Sequence, residues 1–259
     1  MKQRIITAFL LMAIALPCLI YGGIAFKILI GMVLLLSTYE LLRIAQKDKF
    51  YILIELFCYI FVGYAFFSNL SGLFLPAELL ILLMISLFFF SICFPKFKIN
   101  QAFFLYSMLS MLLIGIKTAT FLRIEQGLPA LLFVVIATYG SDTGAYFVGV
   151  KFGKHKLIPR LSPNKTVEGS IGGIVFGTII ASLFALFFDV SFNLYQVILI
   201  SFILTITAQI GDLTFSNIKR YYQLKDFSNL LPGHGGILDR VDSLVFNLVA
   251  YSLCYALFF

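Results

Sequence analysis

Three carboxylates stand where apolar sequence surrounds them. Asp142 interrupts TYGSDTGAYFVG, Asp212 closes an apolar run in AQIGDLTFSNIKR, and Asp242 opens another in LDRVDSLVF. An ionised carboxylate at membrane depth is costly unless it is paired, hydrated or bound to a metal. A carboxylate at a hydrated interface beside a basic neighbour would explain each one without chemistry. Spacing argues for chemistry. Asp212, Ser216 and Lys219 fall at i, i+4 and i+7, one helical stripe running from an acid through a hydroxyl to a cation. Asp239 and Asp242, at i and i+3, share a helix face. A loop that leaves a membrane surface and returns to it could bring Asp212 and Asp239 together. Two carboxylates and a hydroxyl form a hard oxygen site suited to Mg²⁺, which usually completes its shell with water and substrate phosphates. On spacing alone, Asp242 could exchange with Asp239 in that role.

The surroundings carry both signs. Lys219, Arg220, Lys225 and Arg240 lie among Asp212, Asp226, Asp239 and Asp242. Anchoring alone would need only the bases. A metal–nucleotide site needs cations for phosphates and acids for the metal. Pro232-Gly233-His234-Gly235-Gly236 ends any helix there. Glycines let backbone N–H groups come close to a phosphate, and His234 could donate to a phosphate oxygen. By itself this string would also read as an ordinary turn with an exposed histidine. In GKHKLIPRLSPNKTVEGSIGG (153–173), Lys154, Lys156, Arg160 and Lys165 are interleaved with Leu157, Ile158 and Leu161. That pattern suits an amphipathic segment at a headgroup surface. Plain anchoring accounts for Lys154 and Lys156. Lys165 and Glu168, at i and i+3 just before the glycines that open a span, read as site residues. No Walker-type phosphate loop and no dinucleotide glycine fingerprint occurs. The Asp-Gly pair of lipid enzymes that displace CMP is absent too.

The elements that must hold these residues are membrane helices. Of 259 residues, 61% are hydrophobic and 12% charged, whereas soluble domains run nearer one quarter charged. Too little polarity remains for a water-facing surface or a disordered chain. Long apolar runs, rather than alternation, exclude a transmembrane barrel. An all-α polytopic integral membrane protein remains. A span needs about 20 apolar residues. Nine are expected, near 5–23, 24–42, 51–70, 73–94, 102–122, 128–149, 170–188, 194–213 and 242–259. The first two meet at Gly22–Gly23. With the N-terminus inside, sixteen of the nineteen basic residues face the cytoplasm, leaving Lys27, Lys117 and Arg123 outside. The inner set includes Lys2, Arg4, Arg43, Lys47, Lys49, Lys96 and Lys98. Both polar loops, 150–169 and 214–241, then lie in the cytoplasm and form the site. The basic start has no convincing cleavage site after its apolar run, so an uncleaved first helix is expected. The net charge of +7 therefore reflects cytoplasmic loops rather than nucleic-acid binding. Cys18, Cys58, Cys93 and Cys254 are scattered in apolar runs with no disulfide or zinc pattern. Residues 1–130 carry no chemical motif and read as a scaffold of about five spans. Residues 131–259 hold most of the acids and both histidines, and read as a catalytic membrane domain of about four spans.

Taken whole, GDLTFSNIKRYYQLKDFSNLLPGHGGILDRVD (211–242) closely resembles the signature of the phosphatidate cytidylyltransferase family, also called CDP-diglyceride synthetase. The pattern is Ser-x-x-Lys-Arg, four residues, Lys-Asp, a small residue, Pro-Gly-His-Gly-Gly, Asp-Arg and Asp. Ser216, Lys219, Arg220, Lys225, Asp226, Ser228, Pro232 to Gly236, Asp239, Arg240 and Asp242 fill it without departure. SDTGAYFVG and KLIPRLSPNKTVEG look like two further family blocks. The resemblance implies a membrane enzyme that converts CTP and phosphatidate to CDP-diacylglycerol and pyrophosphate with Mg²⁺, in phospholipid synthesis. It implies a homodimer with a cytoplasm-facing cavity, metal ligands at Asp212 and Asp239, and room for a second, monovalent cation. Lys219, Arg220, His234 and Arg240 are then expected to act with the two metal acids in catalysis. Lys165, Glu168, Ser216, Lys225, Asp226, Gly233, Gly235, Gly236, Asp142 and Asp242 are expected to bind substrate, Lys165 at the phosphatidate headgroup with Glu168 orienting it.

Two rivals explain less. A CTP-dependent kinase of polyprenol or phytol would need a base for its alcohol nucleophile, a task His234 could serve. It leaves the complete signature unaccounted for. An ion-coupled transporter would use Asp142 and Asp212 but gives no reason for the glycine loop or the paired Lys-Arg, Lys-Asp and Asp-Arg residues.

Overall fold

The computed structural model describes residues 2–45, 51–68, 73, 75–188, 190 and 192–258, with side chains from residue 6 onward except Ala8. Lys47 and Lys49, the side chains of Lys2 and Arg4, and residues 69–70, 74 and 259 of the expected spans lie outside that set. Nine α-helices occur among the described residues. They are α1 (Lys2–Tyr21), α2 (Gly23–Ala45), α3 (Ile52–Phe67), α4 (Ala77–Cys93), α5 (Ile99–Phe121), α6 (Leu128–Phe152), α7 (Val167–Phe187), α8 (Leu194–Tyr221) and α9 (Leu238–Phe258). A π-helical turn, Leu122–Gln126, follows α5. Six helices are long and apolar enough to cross a membrane: α2, α5 with its π turn, α6, α7, α8 and α9. The apolar stretch Phe9–Tyr21 and helices α3 and α4 are shorter than such a span. The protein is thus an all-α, multi-pass membrane protein. The expected break between the first two helices is real, because Gly22 and Gly23 have φ of 68° and 53°, which side-chain-bearing residues rarely adopt.

The segment expected as an amphipathic headgroup-surface stretch is a two-stranded antiparallel hairpin, β1 (Lys156–Ile158) and β2 (Ser162–Thr166). Pro159 and Pro163 each remove an N–H that a helix would need. Paired strands tolerate proline at their edges. The hairpin turn closes by Leu161 N–H to Ile158 O at 3.1 Å.

The chain forms two compact units, Met1–Thr120 with Asp226–Arg240, and Phe121–Lys225 with Val241–Phe259. The glycine-rich segment therefore groups with the N-terminal helices, where the sequence division had placed it with the later ones. In the first unit, ring contacts hold neighbouring helices, Phe57 against Phe90 and Phe88 against Phe103, both edge-to-face. Several helix ends meet there. Gln101, opening α5, donates to Ala45 O at the end of α2, and Lys96 N–H reaches the Tyr51 hydroxyl at 3.3 Å. Thr7 donates to Pro232 O at 3.0 Å.

In the second unit α6 packs mainly on α7, which in turn packs on α8. Small residues make the approach close. A Cβ on Gly173 would meet Ser141 O at 2.6 Å and Ala145 Cβ at 2.9 Å. Polar side chains then act as glue, as they do between membrane helices. Buried Gln209 of α8 donates to Ser141 Oγ on α6 (3.1 Å) and Ser170 O on α7 (3.0 Å). Asn247 of α9 donates to Thr138 Oγ1 (2.8 Å) and accepts from Thr207 Oγ1 (2.5 Å). Two amides thus tie α6, α7, α8 and α9.

Candidate active site

Helix α8 positions the first cluster. Asn193 and Gln196 close a reciprocal capping box at its start, with N–H contacts of 2.9 and 3.0 Å. The helix then continues unbroken through Asp212, Ser216 and Lys219, so the predicted stripe exists. Asp212 lies one turn beyond Gln209, whose three-helix bonding fixes its register. Lys165, near the end of β2, reaches across to pair with the Asp212 carboxylate. Asp142 on α6, next to buried Ser141, is within electrostatic reach of both Asp212 and Lys165. One ammonium thus serves two half-buried acids, which offsets their desolvation and mutual repulsion. Further along α8, Lys219 Nζ stands 4.0 Å from Asp242 Oδ2.

Glu168 does not orient Lys165. Its carboxylate accepts the N–H groups of Lys154 (3.0 Å) and His155 (3.2 Å), and contacts His155 Nδ1 at 2.6 Å. Lys165 is in β2 and Glu168 in the first turn of α7, so their i, i+3 spacing does not put them on one helix face. Glu168 braces the hairpin instead. Thr166 caps α7, accepting from Gly169 N–H at 3.1 Å. Arg220 donates to Leu224 O (3.2 Å), and Lys225 is exposed.

The first unit contributes the other half of the predicted set. Around Pro232–Gly236 the chain turns back on itself, with Leu231 N–H to Gly235 O at 2.9 Å and His234 N–H to Leu231 O at 2.8 Å. Gly233 and Gly235 have φ of 77° and 81°, so the turn requires them. Arg240 closes it, donating through Nε (2.9 Å) and a terminal nitrogen (2.6 Å) to His234 O. The His234 Nδ1 is buried without a hydrogen-bond partner among the described residues. Asp239, in the first turn of α9, accepts Phe227 N–H (2.7 Å) and Gly236 N–H (2.9 Å) on one oxygen. Asp226 is exposed beside Gly235.

Glu40, Gln209 and a run of spaced glycines escaped the sequence reading. Glu40 of α2 is fully buried and bonds to the glycine-rich segment. Its signal was available, as a lone acid in an apolar span. Gln209 and the glycines spaced by four (Gly169, Gly173, Gly177) carry the small-residue pattern of packed membrane helices.

Among the described residues, no group of three or more His, Cys, Asp or Glu side chains gathers to hold a metal by itself. The donor chemistry still suits Mg²⁺, which takes one or two carboxylates and draws its remaining ligands from water and phosphates. The lysine ammonium beside Asp212 shows that this carboxylate already accommodates a cation.

Long apolar helices with charges paired near their ends define a multi-pass membrane protein. The chain belongs to the cytidylyltransferase family, which it matches over residues 2–258. It is similar to proteins named phosphatidate cytidylyltransferase. That of Bacillus subtilis is 34% identical over all of this chain and 98% of its own. Those of Staphylococcus haemolyticus and Staphylococcus aureus strain COL are 32% identical, each over 96% of both chains.

Proposed function

We propose that this enzyme transfers the cytidylyl group of CTP to phosphatidate, giving CDP-diacylglycerol and pyrophosphate. The carrying observation is the family match along nearly the whole chain. A phosphate oxygen of phosphatidate attacks the α-phosphorus of CTP, forming one P–O bond as the α–β P–O bond breaks and pyrophosphate leaves. The nucleophile arrives ionised, so positioning and charge neutralisation carry the catalysis. Asp212 and Asp239 would hold Mg²⁺, which when bound supplies positive charge to the triphosphate. Lys219, Arg220 and Arg240 neutralise the leaving pyrophosphate. The buried His234 nitrogen and the glycine backbone hold a phosphate. Lys165 meets the phosphatidate headgroup, and Asp142 helps to place that lysine. Ser216, Lys225, Asp226 and Asp242 complete the substrate contacts, while Glu168 shapes the hairpin beside them.

All nine helices cross the membrane in this reading, with the N-terminus and both polar loops in the cytoplasm. The contacts that bring Thr7, Ala45, Tyr51, Gln101 and Pro232 to one end of the first unit support that parity. The early helices serve as scaffold and the later ones carry most of the chemistry. The family resemblance supports a homodimer, which mass measurement on the purified protein would read.

The test is purified protein in detergent with phosphatidate, Mg²⁺ and α-labelled CTP. Label is expected in a CDP-lipid and is lost on adding EDTA. Soluble α-label with γ-label moving to a supplied lipid alcohol would establish the kinase reading instead.

A further inference from the structure

Glu40 is the buried ionisable group that the reaction leaves unused. It lies in α2, within the stretch read as scaffold, and is 0% exposed. Its Oε1 accepts the Ser228 hydroxyl at 2.5 Å and the Ile237 N–H at 2.8 Å, and its Oε2 accepts the Leu238 N–H at 2.8 Å. Asp239 takes the alternate donors of the same backbone, Phe227 N–H and Gly236 N–H. Two carboxylates therefore knit residues 227–228 to residues 236–238. They also satisfy N–H groups around the start of α9, which have no carbonyl partner inside the helix. The fit is tight. A Cβ on Gly236 would come within 2.9 Å of Glu40 Oε2 and 2.8 Å of its Cδ, so a side chain there would displace the Glu40 carboxylate from its donors.

We infer that Glu40 is a positioning residue: it clamps the two ends of the glycine-rich segment and so sets where Asp239 presents its carboxylate. This rests on the cytidylyltransferase reading, in which Asp239 is a metal ligand. Removing the clamp strands buried backbone donors. The amide of Glu40→Gln must turn an N–H group toward one of those donors, so this near-isosteric change breaks the pattern without changing its volume.

Kinetics and amide exchange on Glu40→Gln and Ser228→Ala test this in the full-length protein. In Glu40→Gln, kcat is expected to fall about tenfold or more and half-saturating Mg²⁺ to rise about fivefold, the scale of a lost supporting partner behind a metal ligand. KM for phosphatidate should stay within about twofold, because its proposed lysine is held elsewhere. Ser228→Ala keeps the Glu40 bonds to the Ile237 and Leu238 N–H groups but removes the hydroxyl that Glu40 and the Leu230 N–H share, so it should shift the same two quantities by a smaller factor. Amides 236–238 should exchange about tenfold faster in Glu40→Gln and by a smaller factor in Ser228→Ala. Native kcat and Mg²⁺ dependence in folded Glu40→Gln would overturn the assignment. So would a loss of activity that merely tracks the folded fraction, or unchanged exchange at 236–238. If Glu40→Gln does not fold, Ser228→Ala decides by the same readouts. Failure of the native protein to label lipid would instead overturn the cytidylyl reading, and the exchange data would still decide the clamp.

Discussion

Asp212 and Lys165 form the pair on which the second unit's polar cluster depends. With Asp142 in electrostatic reach of both, removing Lys165 leaves two carboxylates facing each other without a cation, whereas removing Asp212 leaves Lys165 to Asp142. Breaking a half-buried pair leaves the survivor with part of its desolvation penalty. Asp212→Asn and Asp239→Asn should each cut turnover at least about 100-fold while the protein still inserts. Near-native rates from labelled CTP would remove both acids from the metal site. Lys165→Met should raise KM for phosphatidate about tenfold. A lowered kcat with unchanged KM would reassign Lys165 from the headgroup to the carboxylates. The stripe Asp212, Ser216, Lys219 was legible because α8 is one unbroken helix. The partnership of Lys165 with Asp212 was not legible, because it joins a strand to a helix 47 positions away.

Helices α6, α7 and α8 approach closely enough that glycines become structural requirements. Gly144 faces Phe176 Cβ at 2.7 Å from an added Cβ, and Gly173 faces backbone on α6. Gly173→Leu should therefore lower stability by about 2 kcal/mol through overpacking, read as an earlier thermal transition in detergent. A transition equal to the native one would mean the interface opens without cost. Asn247→Leu should cost about 1 kcal/mol, since Thr138 and Thr207 lose a shared partner inside the bundle. Helix positions followed from apolar length. The β-hairpin did not, because alternating bases and aliphatics over a few residues fit either a surface helix or a strand. Two prolines decided between them.

For the molecule as a whole, the prediction concerns sidedness. In a background lacking the four cysteines, Lys117→Cys should react with an impermeant maleimide added to intact cells. His155→Cys should react only after the membrane is opened. The reverse pattern would turn the site away from the cytoplasm, where CTP could not reach it. The basic residues carried this expectation because each one is expensive to translocate, so their asymmetry records the direction of insertion.

Composition and pattern alone determined that the chain is helical and membrane-embedded, and pointed to Asp212, the glycine-rich turn and Asp239 as candidate site residues. Those features follow from local costs: apolar length, proline and glycine geometry, and charge at membrane depth. Only the tertiary structure decided which partners those charges take. Lys165 goes to Asp212, Glu168 to the hairpin backbone, Arg240 to the His234 carbonyl, and Glu40 to the first turn of α9. Such pairings join residues far apart in sequence. They are chosen by which buried donors would otherwise go unsatisfied once the helices have packed.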